Sequence, residues 1–288
     1  MLAINTDFHG TSRNSVDIRG TLRRIAEAGF SHVHWCHEWS GSYLYSIHEM
    51  LQIKEWCDEF GLSVKGLHAP EGERDVDAKV YNSRNECSRV SGVELLKNRV
   101  DLAHVLNAEA IVIHWRLPWQ MIPTEEDFRE NYLKPAFRSF DELEPYCKTR
   151  KVKICIENTG GPPSYCCPVY DTLYRRYDRD FMGFCLDTGH ANIHCKEKCY
   201  EYAEHYGDRL FMIHVHDNHG ENDEHILPYE GNYDWEGFAG ALARSAYQLP
   251  IVMEPGFGKA PGDDTAWLKR AFEVGNRLSA MVEKHRNA

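Results

Sequence analysis

The run FCLDTGHANIH, residues 184–194, ends an apolar strand-like stretch on an acid, Asp187, and places an imidazole, His190, three residues later. A strand built for a core gains nothing from a terminal carboxylate unless that end opens on a polar site. The same ending recurs along the chain. LSVKGLH closes on His68, AIVIHW carries His114, VKICIE closes on Glu157, LFMIHVH ends on His214 and His216, and PIVME ends on Glu254. Any one of these has an ordinary structural explanation, such as a hydrogen-bonded histidine at a strand end. Six in succession do not. Acids crowded together out of water are costly, and a divalent cation removes that cost. Mixed carboxylate and imidazole donors suit manganese, zinc, cobalt or iron.

The elements that would gather these ends follow a rhythm. Eight β-rich runs cover residues 2–8, 31–36, 62–68, 110–115, 152–157, 183–187, 210–216 and 250–254. Amphipathic stretches lie between them, among others 17–29, 92–108 and 266–285. In 92–108, Leu95, Val100, Leu102, Ala103 and Leu106 fall close to a 3.6-residue period, the mark of a helix buried on one face. Gly29, Gly61 and Asn107 stand where such helices would close before the next strand. Eight β-then-α units predict an α/β chain folded as one (β/α)8 TIM barrel over residues 1–288. A doubly wound sheet needs no eighth strand and usually carries a glycine-rich loop after its first one. FHGTSRNS, residues 8–15, has a single glycine there. In a barrel, side chains at the C-terminal strand ends surround the active-site mouth, which accounts for a strand that stops on Asp187.

Composition narrows the function. A net charge of −11 opposes gripping a nucleic-acid backbone, so no nucleic-acid partner is expected. No apolar run approaches the roughly 18 residues of a membrane span, and nothing before Ala3 resembles an export signal, so a cytoplasmic location is expected. The ten cysteines are scattered without a CxxC, which predicts reduced thiols in the core.

Seven segments together resemble the xylose isomerase-like barrel superfamily: GLHAP (66–70), IVIHW (111–115), CIENTG (155–160), CLDTGH (185–190), HVHDN (214–218), DEHILPYEGNYDW (223–235) and MEP (253–255). The superfamily holds sugar isomerases and epimerases and also the endonuclease IV type of abasic-site nuclease. The resemblance implies a metal site of Glu157, Asp187, a strand-seven histidine and Glu254. His214 fits the family's H-x-x-D with Asp217; His216, two residues on, faces the same way and stays open as the alternative. The nuclease branch adds five ligands for three zinc ions, and His68, His114, His190, Asp223 and His225 are their counterparts here. DEHILPYEGNYDW nevertheless reads like the sugar-isomerase side, and VMEPGFG lacks the nucleases' threonine-bearing ETP.

The resemblance therefore implies an isomerase or epimerase of a sugar, sugar derivative or cyclitol, working through an enediolate with Glu157 and Glu254 as acid and base. One divalent cation (manganese, zinc, cobalt or magnesium) is expected, with donors enough for more than one. A keto-sugar lyase is a near variant, and a zinc phosphodiesterase or a sugar-binding protein without turnover the alternatives. His68, His114, His190, His216, Asp223 and His225 are expected to bind substrate or a second metal. Trp115, beside His114, is expected to wall the substrate, and Trp35, Trp39, Trp119, Tyr229, Tyr233 and Trp235 to line mouth-side loops where rings stack on sugars. HWCHEW, residues 34–39, puts His37 and Glu38 at the mouth without a family role. The only cation in GFGKAPG, residues 256–262, is Lys259, so an unphosphorylated carbohydrate is favoured. A homo-oligomer is compatible with all of this.

Overall fold

The strands β1 (Leu2–Asn5), β2 (His32–Trp35), β3 (Ser63–His68), β4 (Ala110–His114), β5 (Lys153–Glu157), β6 (Met182–Asp187), β7 (Leu210–Val215) and β8 (Ile251–Met253) pair in parallel with their sequence neighbours. β8 returns to β1 and closes the ring. The computed structural model describes residues 1–9, 17–37, 42–70, 85–115, 117, 124–195, 198–257 and 264–288. Among them the outer helices are α1 (Ile18–Glu27), α2 (Ile47–Glu59), α3 (Glu86–Val105), α4 (Lys134–Arg150), α5 (Pro163–Arg176), α6 (Thr188–His194), α7 (Glu201–His205), α8 (Trp235–Arg244) and α9 (Asp264–Arg286). The expected barrel and all eight strands are present. None of these helices is long and apolar enough to cross a membrane. All ten cysteines are free thiols, most of them buried.

Strand alternation explains where the polar ends go. A layer of small and medium apolar residues fills the barrel interior: Ala3, Ala110, Val112, Cys155, Cys185, Met212 and Val252. Side chains alternate between the two faces of a strand, so the residue two positions on faces the interior again, one level higher. From Ala3 that residue is Asn5; from Val112, His114; from Cys155, Glu157; from Cys185, Asp187; from Met212, His214; and from Val252, Glu254. The apolar layer is the floor, and the polar ring stands on it. Register sets His114 opposite Glu157 and Asp187 opposite His214, and steps up by two residues where Glu157 lies opposite Cys185 and His214 opposite Val252.

Two boundaries differ from the sequence reading for physical reasons. β1 stops at Asn5 and not at residue 8, although the Thr6 amide still donates to the His34 carbonyl at 3.0 Å. α3 begins at Glu86, before the apolar stripe starts. Asn85 caps it by accepting from the Cys87 and Ser88 amides, and buried Arg89 is held by Glu86 at 2.8 Å and Glu142 at 2.6 Å. Capping and ion pairing supply what apolar periodicity does not. Gly29, Gly61 and Asn107 all adopt positive φ, as helix-closing residues do.

One loop needs its own anchor, because it carries two site residues over the mouth. Residues 216–235 are organised around the buried carboxylate of Asp217. It accepts from the amides of Asn218 (2.9 Å), Tyr229 (3.0 Å) and Tyr233 (3.2 Å) and from the Trp235 indole at 2.9 Å. The backbones of Asp217 and Ile226 also bridge in antiparallel fashion. Gly231 passes so close that a Cβ there would sit 2.2 Å from the Asn218 carbonyl oxygen. Replacing Asp217 with alanine strands four donors, and we expect a loss of about 3 kcal/mol or more in urea-unfolding stability. A change within about 0.5 kcal/mol, the range of an ordinary surface substitution, would show that the loop is held by other means.

Candidate metal and active site

Glu157 lies at the centre of the polar ring, with 1% of its side chain exposed. Its Oε2 is 3.2 Å from His214 Nδ1, 3.3 Å from His114 Nε2 and 3.4 Å from His68 Nε2. No well-directed hydrogen bond reaches that oxygen. The other oxygen, Oε1, faces His190 Nδ1 at 3.1 Å. Glu254, just past β8, brings its Oε2 to 3.1 Å from the same His214 Nδ1. His68 Nδ1 donates to the Ala69 carbonyl at 2.9 Å, and its Nε2 lies 3.1 Å from His114 Nε2.

A second group adjoins the first. Asp187 is the N-cap of α6 and accepts from the His190 amide through Oδ1 at 2.7 Å. The spacing of acid and histidine in DTGH is thus a helix start as well as a site motif. Asp187 Oδ2 is 3.0 Å from His216 Nε2. Asn158 fixes the strand end by bonding both the amide and the carbonyl of Asp187, at 2.8 and 2.9 Å. The His216 ring lies flat on His225, with centroids 3.8 Å apart and planes 7° from parallel. Gly189 makes room for it, since a Cβ there would meet His216 Cε1 at 2.0 Å. His225 Nε2 is 3.0 Å from Asp223 Oδ2, and its Nδ1 donates to the Glu254 carbonyl at 2.9 Å. His190 Nε2 faces Asp223 from the other side at 3.4 Å.

Electrostatics follow from this crowding. Burial would raise the Glu157 carboxyl, but the His114 and His214 rings outweigh it and hold the group well below the usual carboxylate range. Asp187 is likewise opposed by burial, yet His190 and His216 bring it down to about 2. Burial lowers His225, and Asp223 more than reverses this, raising it to about 10. The acids are therefore ionised at neutral pH and need positive charge beside them.

The donor set fits a divalent cation. Among the described residues, four triads have ligand atoms within 4.8 Å of one another: His68–Glu157–His214, Glu157–Asp187–His190, Asp187–His216–Glu254 and His216–Asp223–His225. Ring nitrogens crowd a buried carboxylate oxygen, Glu157 Oε2, that no well-directed hydrogen bond reaches, and a cation would satisfy it. Glu157, Asp187, His214 and Glu254 are gathered at one mouth. Within it, His214 groups with Glu157 and His68, and Asp187 groups with His216 and Glu254. Both strand-seven histidines thus reach donor positions.

A cavity of about 310 Å³ opens above these groups, at the lower end of the range for small-molecule sites. His114, Glu157, His190, Asp223, His225 and Glu254 line it, together with Asn5, Asp7 and Phe8 from the end of β1. Two larger grooves, about 560 and 640 Å³, lie on the outer helices and carry no such triad among the described residues. The β1 residues were not anticipated, because 2–8 reads as a strand longer than it is; counting two from Ala3 would have found Asn5. His34 was also missed. It is fully buried beneath His214, and burial, with His214 and His68 adding to it, pushes its imidazole well below the ordinary value.

The expected aromatic wall is corrected. Trp115 directly follows the inward-facing His114, so alternation turns it outward to the helical layer, where it is fully buried with Phe140 edge-on. Trp35, Tyr233 and Trp235 are also core residues, and Tyr229 stacks under Arg277 at 3.8 Å. Glu38, Trp39, Trp119 and Lys259 lie outside the described residues.

Known proteins place this geometry in context. The family model described as xylose isomerase-like TIM barrel matches residues 22–273. Uncharacterized protein y4fM of Sinorhizobium fredii (strain NBRC 101917 / NGR234) is 34% identical over 291 residues, covering 94% of this chain and 91% of its own. A D-tagatose 3-epimerase-like protein superposes with a TM-score of 0.73 at 19% identity, covering 98% of each chain. An L-ribulose 3-epimerase gives 0.73 at 16% identity, over 99% of this chain and 95% of that one. At such identities the structural likeness speaks for the barrel; the family match and the 34% relative speak for descent. The chain belongs to the xylose isomerase-like TIM-barrel family.

Proposed function

We propose that this protein is a divalent-metal-dependent isomerase or epimerase acting on a small carbohydrate or cyclitol, with Glu157 and Glu254 as the proton-transferring pair. One observation carries the reading: two carboxylates from well-separated strands, β5 and the end of β8, converge on a single ring nitrogen of His214 at 3.2 and 3.1 Å. The barrel is shared with structures described as sugar epimerases, which supports the same class. Four carboxylates (Asp7, Glu157, Asp223 and Glu254) face the cavity, a lining that favours a neutral polyol over a phosphorylated one.

Glu157, Asp187, His214 and Glu254 would hold the cation, with His216 beside Asp187. When bound, it supplies Lewis-acid stabilisation of the negative charge that develops on the substrate's adjacent carbonyl and hydroxyl oxygens. One glutamate takes the proton from the carbon bearing that hydroxyl, and the C–H electron pair moves towards the carbonyl to give an enediolate. The other glutamate returns a proton. Return to the opposite face of the same carbon gives an epimer; return to the neighbouring carbon gives an isomer. His190, between Glu157 and Asp223, is placed to hydrogen-bond a substrate hydroxyl. Asp223 and His225 close over the substrate from the anchored loop.

A second reading has one observation in its favour. The His216–Asp223–His225 triad shares no residue with His68–Glu157–His214, so more than one cation has donors here. Adjacent cations suit in-line phosphodiester cleavage. The −11 charge stands against a long polyanionic substrate. Elemental analysis decides: about one cation per chain accords with sugar chemistry, and three with incision of an abasic duplex would reinstate the hydrolase.

Two outcomes are expected. Saturating Mn2+ should raise the unfolding stability of the purified protein, by about 2.7 kcal/mol at a hundredfold excess over Kd, and Glu157→Gln should abolish most of that gain. A melting curve indifferent to Mn2+, Zn2+, Co2+ and Mg2+ would end the metal reading. In deuterated water, a panel of ketohexoses, ketopentoses and an inositol ketone should reveal a substrate whose carbon-bound proton exchanges. Glu254→Gln should slow that exchange by roughly 10²–10⁴-fold. Proton NMR follows it directly, and no exchange in any member of the panel would refute the proposal.

A further inference from the structure

Beneath the mouth lies an imidazole that the chemistry above does not use. His34 sits on β2 at the point where its register with β3 slips between Val33 and His34. The extra residue at that slip, Lys65, lies on β3; on β2 itself Val33 and Trp35 pack outward, so alternation turns the His34 ring into the barrel interior, where it is fully buried. Its Nε2 is 3.3 Å from His214 Nε2, with ring centroids 4.8 Å apart and planes at 71°. Its Nδ1 is buried without a hydrogen-bond partner. Space for the ring depends on Gly66: a Cβ there would lie 3.1 Å from His34 Nδ1 and 2.2 Å from Met212 Cε. An apolar side chain would fill this position without stranding a nitrogen, so packing alone does not account for a histidine.

The geometry of His214 does. Its Nδ1 points at Glu157 and Glu254, the direction in which a cation would be bound. A neutral imidazole that offers its lone pair at Nδ1 carries its proton on Nε2, and that proton requires an acceptor. The Cys185 thiol also lies against His214, but sulfur accepts weakly. His34 Nε2 is the stronger acceptor within reach.

We propose that His34 is a positioning residue whose Nε2 accepts the Nε2–H of His214, fixing the tautomer and ring angle that leave His214 Nδ1 open to a divalent cation. Ligating histidines commonly hand their second proton to a carboxylate or carbonyl, and loss of such a partner typically weakens metal binding by about 10–100-fold. Here another imidazole takes that part. The inference rests on the reading of His214 as a cation ligand, and the experiment separates the two.

Co2+ binding is measured by competition with a chromogenic chelator for the wild type, His34→Leu and His34→Gln, with melting curves in EDTA alongside. Leucine fills the space and cannot accept a proton; the glutamine side-chain oxygen can. We expect His34→Leu to bind Co2+ about 10–100-fold more weakly while its EDTA melting curve stays near that of the wild type or above it. His34→Gln should recover most of the affinity. Equal affinity in wild type and His34→Leu would overturn the inference and leave the metal site standing. Equal weakening by leucine and glutamine would also overturn it, since shape would then matter and hydrogen bonding would not. No Co2+ binding by the wild type would remove the proposed function first and this inference with it.

Discussion

The burial of Glu157 is the constraint on which the rest of the site turns. A carboxylate removed from water requires compensation worth several kcal/mol, and three imidazole nitrogens surround its inner oxygen without bonding it well. The fold could have avoided that cost by placing an apolar residue two positions beyond Cys155, as it does on the outer face of the same strand. It accepts the cost at the mouth of the barrel, where His114, Asp187, His214 and Glu254 are also turned inward. The apolar layer of Ala3, Val112, Cys155, Cys185, Met212 and Val252 keeps water from entering below, so the acid has no solvent to turn to on that side. Charge must be met from above or from the ring itself.

That requirement explains why site residues double as structural ones. Asp187 caps α6 with one oxygen and faces His216 with the other, so the helix start and the site share a single carboxylate. Asn158, next to Glu157, bonds both backbone groups of Asp187 and ties two strand ends at one height. Gly189 is small because His216 passes over it, and Gly66 is small because His34 and Met212 do. In each case a local backbone feature and a site contact are met by the same residue. Side chains held from two directions keep the angles that proton transfer and cation binding demand.

Much of this was legible in the chain because strand alternation is a short-range rule. Strand ends on His68, His114, Glu157, Asp187, His214 and Glu254 could be read once eight β-then-α units were counted, and the barrel places all six at one mouth. Three matters were missed. Asn5 was passed over because 2–8 reads as a longer strand, although counting two from the interior Ala3 reaches it. Trp115 was misassigned because adjacency in sequence is the reverse of adjacency across a strand: a neighbour of His114 must face away from it. His34 was passed over because it sits beneath the ring of strand-end residues, at a depth where an interior position ordinarily carries an apolar side chain.

The loop over the mouth shows the same division between local and non-local information, and it bears on substrate choice. Asp223 and His225 were visible as a carboxylate and an imidazole two apart, but their position depends on Asp217 gathering four donors from as far along as Trp235. His225 and Tyr229 take left-handed backbone conformations, which a preformed loop can hold and a mobile one would relax. A lid anchored in this way fixes the size of the space beneath it before any ligand arrives. That space is near 310 Å³ and bounded by carboxylates, a lining that supports the neutral polyol proposed above. Asp7, Asp223 and Glu254 line the same opening, and their negative charge works against an approaching phosphate. Lid and charge therefore act on whatever enters the cavity before it reaches Glu157 and Glu254.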